Sequence, residues 1–175
     1  MSLHLDEEQG AVLARLAREL HERIPMTKFL GIHFVEFEPG RIVIEAPLGP
    51  SLNHRGTAFG PGVFTSAGLA PWLLLVRAAW AERLSVQILL RRCEFAIHRP
   101  ITCDYRARCG ALPTLDADML RQGGKVRLTA TSQVFIDDGA PAATYTAHFT
   151  LLGQPAASGA GEGDLALPFP EAWRT

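Results

Sequence analysis

The segment Asn53-His54-Arg55-Gly56-Thr57-Ala58-Phe59-Gly60-Pro61-Gly62 sets an amide, an imidazole and a hydroxyl just ahead of a long apolar stretch. The first N–H groups of a helix have no partner inside it, and the helix dipole adds positive charge there. Such a start holds an anion, or a carbonyl oxygen that becomes one in a transition state. Asn53 offers an amide donor and His54 a group that can take a proton. Gly60 and Gly62 let the backbone approach a ligand closely. Pro61 suits the first helical position, where its missing N–H costs nothing. The plainer reading of the same residues is a Gly/Pro loop that only separates strand from helix.

Other reactive side chains are scattered. Thr65 and Ser66 fall in the first helical turns, where hydroxyls also bond back to the helix. Glu94 and His98 are four apart on a strand pattern, hence on one face, from which they can enter the site of a second copy. Glu94 reads equally as a solvated strand residue. Cys93, Cys103 and Cys109 show no C-x-x-C spacing and cannot all pair within one chain. They read as reduced thiols, with Cys103 and Cys109 as small core residues on one strand face. Cys93 lies within a strand pattern rather than at a helix start that would activate it. Arg91, Arg92, Arg99, Arg106, Arg108 and Arg127 spread over three strands, either to meet phosphates or an acidic partner or as solvated faces. No metal-ligand spacing, phosphate loop or dinucleotide fingerprint occurs, so no metal or cofactor is expected.

The elements that position these residues follow from the patterning. Residues 6–24 form an amphipathic helix, with Asp6 and Gln9 as a capping box and Val12, Leu13, Leu16, Leu20 and Ile24 as its stripe. Strands are expected at 30–37 and 41–46 around the turn Glu38-Pro39-Gly40. A loop over 48–60 leads into a helix over 61–84, which Pro71 should kink or loosen. Strands follow at 86–99, 102–109, 125–136 and 142–152. A short helix is expected within 113–122 and a hairpin at Asp138-Gly139. One long apolar helix against an antiparallel sheet is an α+β layer architecture. Trp72, Leu73, Leu74, Leu75 and Val76 are apolar on every side of one turn, so a second copy is the simplest cover for what one sheet leaves bare.

With 175 residues and a formal net charge of −1, the chain is one domain's length and has no bulk field calling for nucleic acid or a membrane. No uninterrupted apolar run reaches the ~18 residues of a membrane span, since Arg77 and Glu82 break the helix pattern. The polar, acidic start lacks the layout of a signal peptide, so a cytoplasmic protein is expected. The expected organisation is a single domain over 1–152 and a loose extension over 153–175, where Leu165, Leu167, Phe169 and Trp173 are available for docking.

The layout resembles the hotdog fold of acyl-thioester enzymes, an antiparallel sheet wrapped around a long central helix, here with an extra N-terminal helix. Within it, the chain is similar to the thioesterase-like family typified by the YiiD C-terminal domain. That family's signature is approximately Asn-x-x-Gly-Thr-Ala-Phe-Gly-Gly before the helix; residues 53–61 match it with Pro61 in the last place. Ile24-Pro25-Met26-Thr27 with Leu30-Gly31-Ile32, Ala46-Pro47-Leu48, Trp72, Arg99-Pro100 and the Asp138-Gly139 hairpin also fit, so the resemblance covers 24–152. It implies a homodimer or dimer of dimers with sites at subunit interfaces, and acyl groups on coenzyme A or acyl carrier protein as substrates. The carbonyl would lie before Gly60, facing Asn53. His54 is a candidate base, and Thr57, Phe59, Thr65 and Trp72 are the candidate substrate-binding residues. Better-known hotdog thioesterases carry a helix carboxylate at the position of Gly68 and a histidine at that of Phe59. Pro61 replaces a glycine, and Pro71 stands where a small residue is usual.

Three readings of function follow. The first is thioester hydrolysis, which needs an activated water. The second is decarboxylation of a malonyl thioester, which needs no base to begin and is helped by the lack of an acid at Gly68. The third is binding of acyl thioesters without turnover.

Overall fold

The structure, a computed structural model, describes residues 7–38 and 40–154. The N-terminal helix α1 spans Glu7–Arg23 and buries Leu13, Leu16, Ala17 and Leu20. The expected capping residue Asp6 and the tail residues Leu165, Leu167, Phe169 and Trp173 lie outside the described residues. A short helix that the pattern did not announce, α2 (Pro25–Phe29), follows at once. Pro25 sits at its start, where it removes no helical bond, and the Thr27 hydroxyl donates to Ile24 O at 2.7 Å. The first strand therefore begins three residues later than expected, as β1 (His33–Glu38). β2 is Arg41–Ala46.

The long helix α3 runs unbroken over Gly60–Ala81. After it come β3 (Val86–Ile97), β4 (Tyr105–Gly110), α4 (Ala117–Arg121), β5 (Lys125–Phe135) and β6 (Ala143–Gly153). The strands make one antiparallel sheet in the order β1-β2-β4-β5-β6-β3, so β1 and β3 are its edges. α3 packs across β2, β4, β5, β6 and β3, while α1 covers β1 and α2. The α+β expectation and the order of the main elements are met.

Pro71 does not break α3. A proline lacks the N–H that would bond the carbonyl four residues back, here that of Ala67. The buried Ser132 hydroxyl of β5 donates to Ala67 O at 2.5 Å and replaces the missing bond. Leu73, Leu74, Leu75 and Val76 are all buried, as an all-round apolar turn requires. By length and apolar composition α3 also has the dimensions of a membrane span, although most of it is buried inside the molecule. A helix wrapped by its own sheet has already used its apolar surface on the core.

Two cysteine expectations divide. Cys109 is buried on the inner face of β4 with Tyr105 and Ala107. Cys103 is exposed and precedes the strand, which starts at Tyr105 rather than 102. It is no core residue; its Sγ lies 3.8 Å from Ile136 O.

Candidate active site

The loop before α3 is a small, closed device. Leu52 and Ala58 form an isolated antiparallel bridge. Asn53 N–H donates to Thr57 O at 2.8 Å, and Gly56 N–H to Asn53 O at 3.0 Å. The Asn53 side chain organises the turn. Its Oδ1 accepts from the N–H groups of Arg55 (2.8 Å) and Thr57 (3.3 Å). Its Nδ2 donates to Thr57 Oγ1 at 2.9 Å and to Ala58 O at 3.4 Å. The second is near the limit for a hydrogen bond and correspondingly weak. Gly56 turns the chain with φ +76°, a conformation costly for residues with a side chain. Ala58 N–H then donates to Ile101 O at 2.8 Å and Phe59 N–H to Ser51 O, which fix the loop to the body.

At the helix start, Gly62 and Val63 N–H both return to Phe59 O, at 2.9 and 3.3 Å. Pro61 has no N–H. Gly60 N–H is thus the free backbone donor of the first turn, with no partner among the described residues. The two glycines differ in purpose. A Cβ on Gly62 would lie 2.7 Å from Ser51 Cβ, so that glycine lets the loop seat against the helix rather than a ligand approach. A Cβ on Gly60 would meet Ile97 Cδ1 at an ordinary 3.6 Å.

Residues 60, 64, 68 and 72 share one face of α3, and at its N-terminal end this face meets the inner sides of β3 and β6. The Phe64 ring packs edge-on against Phe95 at 5.6 Å and Tyr145 at 5.3 Å. The Tyr145 phenol lies over Gly68, where an added Cβ would be 3.2 Å from its hydroxyl oxygen. Burial raises the Tyr145 pKa, and the neighbouring Cys93 thiol adds to the rise. Phe59 (56% exposed), Phe64 (37%) and Ile97 (46%) leave an apolar wall open beside the Gly60 N–H. The cluster of Gly60, Phe64, Gly68, Cys93, Phe95, Ile97 and Tyr145 contains no carboxylate.

The structure gathers some expected residues here and places others elsewhere. Thr57 is tied to Asn53, and Phe59 projects to the surface. His54 is exposed in the turn, its ring without a hydrogen-bond partner among the described residues. Thr65 donates its hydroxyl to Pro61 O at 2.9 Å, and Ser66 to Gly62 O at 3.2 Å. Trp72 is half-buried against the core. Glu94 stands opposite Thr146, on the sheet face away from α3, and pairs with Arg92 at 2.7 Å. His98 bonds Thr144 at 2.9 Å. Phe64, Phe95, Ile97 and Tyr145 went unnoticed in the sequence. Their signal was the four-residue step from Gly60 along the helix and the alternate positions from Cys93 along the strand. Among the described residues no three His, Cys, Asp or Glu side chains converge as metal ligands.

Comparison with known proteins accords with this fold. A family model described as "Putative thioesterase (yiiD_Cterm)" matches residues 13–153. No curated protein matches the chain. A thioesterase-class structure from Shewanella oneidensis, also described as putative, is similar with a TM-score of 0.73 and 23% identity, over 82% of this chain and 99% of that one. A structure from Pseudomonas aeruginosa described as a probable thioesterase gives 0.66 and 23%, over 81% and 96%. A thioesterase from Haemophilus influenzae gives 0.61 and 14%, over 81% and 90%. At these identities the structures show the fold, which is the hotdog fold.

Proposed function

The chain belongs to the YiiD C-terminal family of putative thioesterases, and on that premise we propose that it hydrolyses acyl thioesters of coenzyme A or acyl carrier protein before the N-terminus of α3. The observation that carries this is the unpartnered Gly60 N–H beside an exposed apolar wall of Phe59, Phe64 and Ile97. A thioester carbonyl oxygen accepts from Gly60 N–H, and the acyl chain lies along Phe64 towards Phe95 and Tyr145. The Asn53 Nδ2 hydrogen held only weakly by Ala58 O, at 3.4 Å, is the one that the same oxygen can share. Water adds to the carbonyl carbon as His54 takes its proton. The oxyanion forms against these donors. The C–S bond then breaks, and the thiolate leaves with that proton. A second copy along edge strand β3 closes the open side of the pocket.

Decarboxylation of a malonyl thioester is a second reading, favoured by one observation: Tyr145 occupies the space beside Gly68, and the cluster around it holds no carboxylate among the described residues. There the electrons of the breaking C–C bond pass into an enolate on the thioester oxygen. Carbon dioxide leaves, and solvent later returns a proton to carbon. The same donors serve both reactions.

Mass spectrometry of the protein with malonyl-carrier protein, malonyl-CoA and a ladder of acyl-CoAs separates the readings. Free thiol with carboxylic acid is the expected product. Carbon dioxide loss with the thioester intact rejects hydrolysis for decarboxylation, and thermal stabilisation without turnover leaves a binding protein. Tyr145→Phe keeps the ring packing and removes the hydroxyl. If that hydroxyl meets the reacting thioester, kcat falls by about 10²–10³.

A further inference from the structure

On the side of the sheet away from α3, strands β5 and β3, which flank β6, bring together three cations without an ion-pair partner among the described residues. Strand register puts Lys125 and Arg127 of β5 on one face with Leu152 and Thr150 of β6, while Thr129 stands opposite His148. Leu89 of β3 stands opposite Thr150, and the bulge between Leu90 and Arg92 adds Arg91 beside it. Arg91, Lys125 and Arg127 rim a groove of about 470 Å³ whose lining includes Thr129, His148 and Thr150 and no Asp or Glu. None of the three cations has an ion pair or side-chain hydrogen bond among the described residues. Next to the groove on β3, Arg92 is matched by Glu94 at 2.7 Å, and further along the sheet Arg106 is matched by Glu45 at 2.6 Å and Arg41 by Glu36 at 3.1 Å. The chain's net charge is only −1, so the imbalance is local.

Like charges gathered on one face repel, and a fold gains nothing from holding them together unless an anion shares them. The hydroxyls add donors. Thr150 is 7% exposed in the groove, and Thr129 is bonded to His148 Nδ1 at 2.9 Å, which leaves His148 Nε2 without a hydrogen-bond partner among the described residues. Guanidinium, ammonium and hydroxyl donors around a concavity of this size suit a small anion with several oxygens better than a flat macromolecular surface. We infer that this outer groove is a second binding site, for a small molecule bearing two or more phosphates. It is separated by the sheet from the α3 N-terminus and does not depend on the reaction proposed there. Pyrophosphate, a nucleoside diphosphate and the nucleotide end of coenzyme A present the shared chemistry.

Isothermal titration calorimetry of the full chain at low salt, with pyrophosphate, ADP, coenzyme A and orthophosphate, tests the inference. The di- and triphosphorylated molecules should bind at one site per chain, orthophosphate more weakly, and all less tightly as salt rises. Their ranking identifies which source fits. Lys125→Gln with Arg127→Gln should weaken binding at least about tenfold. It should also leave the melting temperature unchanged or raised, because it removes repulsion. The assignment is overturned if none of these anions binds at millimolar concentration, or if the double variant binds as the parent does. It is equally overturned if only a polymeric acid such as polyglutamate binds. Binding lost in Asn53→Asp but kept in Lys125→Gln/Arg127→Gln would place the anion at the α3 N-terminus and refute the outer site.

Discussion

Asn53 has two jobs that its atoms divide between them. Oδ1 holds Arg55 and Thr57 N–H and so shapes the turn, while Nδ2 supplies the donors. Asn53→Asp keeps the acceptor and removes the amide hydrogens. If Nδ2 serves the developing oxyanion, the variant stays folded and loses about 2.7–4 kcal/mol of transition-state stabilisation, read from kcat/KM. A melting temperature that drops while kcat/KM holds would confine Asn53 to the loop. The type and position of this residue were legible from the sequence. Its internal bonds were not, since a turn's side-chain bonding depends on backbone angles that spacing does not reveal. The cysteines show a similar division. Burial pushes the Cys109 thiol up to about 12, and its Sγ donates to Thr131 O at 3.3 Å. The thiolate is the reactive form, so at pH 8 iodoacetamide should alkylate exposed Cys103 and leave Cys109 intact, as peptide mapping would show. Labelling of Cys109 in the native protein would mean that β4 opens. Alternation along 102–109 put both thiols on one face, and it misled for Cys103 because the strand starts two residues further on, at Tyr105.

α3 shows how an element that local rules would interrupt is kept whole by a neighbour. Pro71 removes one helical bond, and Ser132, far away in sequence, restores an acceptor's partner from β5. The helix alone predicts a kink or a loosened turn, because the compensating hydroxyl belongs to another strand. A buried carbonyl left without its donor costs about 1–3 kcal/mol. Ser132→Ala should therefore lower stability by that amount in denaturant unfolding. The cost should shrink by at least ~0.5 kcal/mol in a Pro71→Ala background, where an N–H again reaches Ala67 O. Equal costs in both backgrounds would show that Ser132 does not stand in for the missing bond. The short helix α2 was missed for a related reason. Its five residues carry too little periodicity to be seen, and it exists because Pro25 starts it and Thr27 bonds back to Ile24. Continuity of the helix matters to the site, since the line of residues 60, 64 and 68 carries the wall from the free N–H to Tyr145.

The whole molecule has one side that its own chain leaves unfinished. β3 is a twelve-residue edge strand, with Leu90 49% and Ile97 46% exposed, and the open wall of Phe59 and Phe64 adjoins it. Long apolar edges of this kind invite another strand. The all-round apolar pattern of α3 pointed to a second copy from the sequence. The folded chain covers most of that helix, and among the described residues exposed large apolar side chains lie at β3 and the helix start and also on α2, at Met26 and Phe29. Pairing of β3 with its symmetry mate would bury each Leu90 and close each pocket with surface from the other copy. Leu90→Lys tests both consequences together. Leu90 is already half-buried within the chain, so two copies of the remaining burial amount to about 1.5–3 kcal/mol, enough to raise a dimer's Kd by about one to two orders of magnitude. Analytical ultracentrifugation should show monomer where the parent is dimeric. Thioester turnover should fall with the dimer fraction as the protein is diluted, and recover at high concentration. A monomeric Leu90→Lys protein with the parent's full turnover would mean that each chain completes its own pocket, and that the edge strand serves assembly alone.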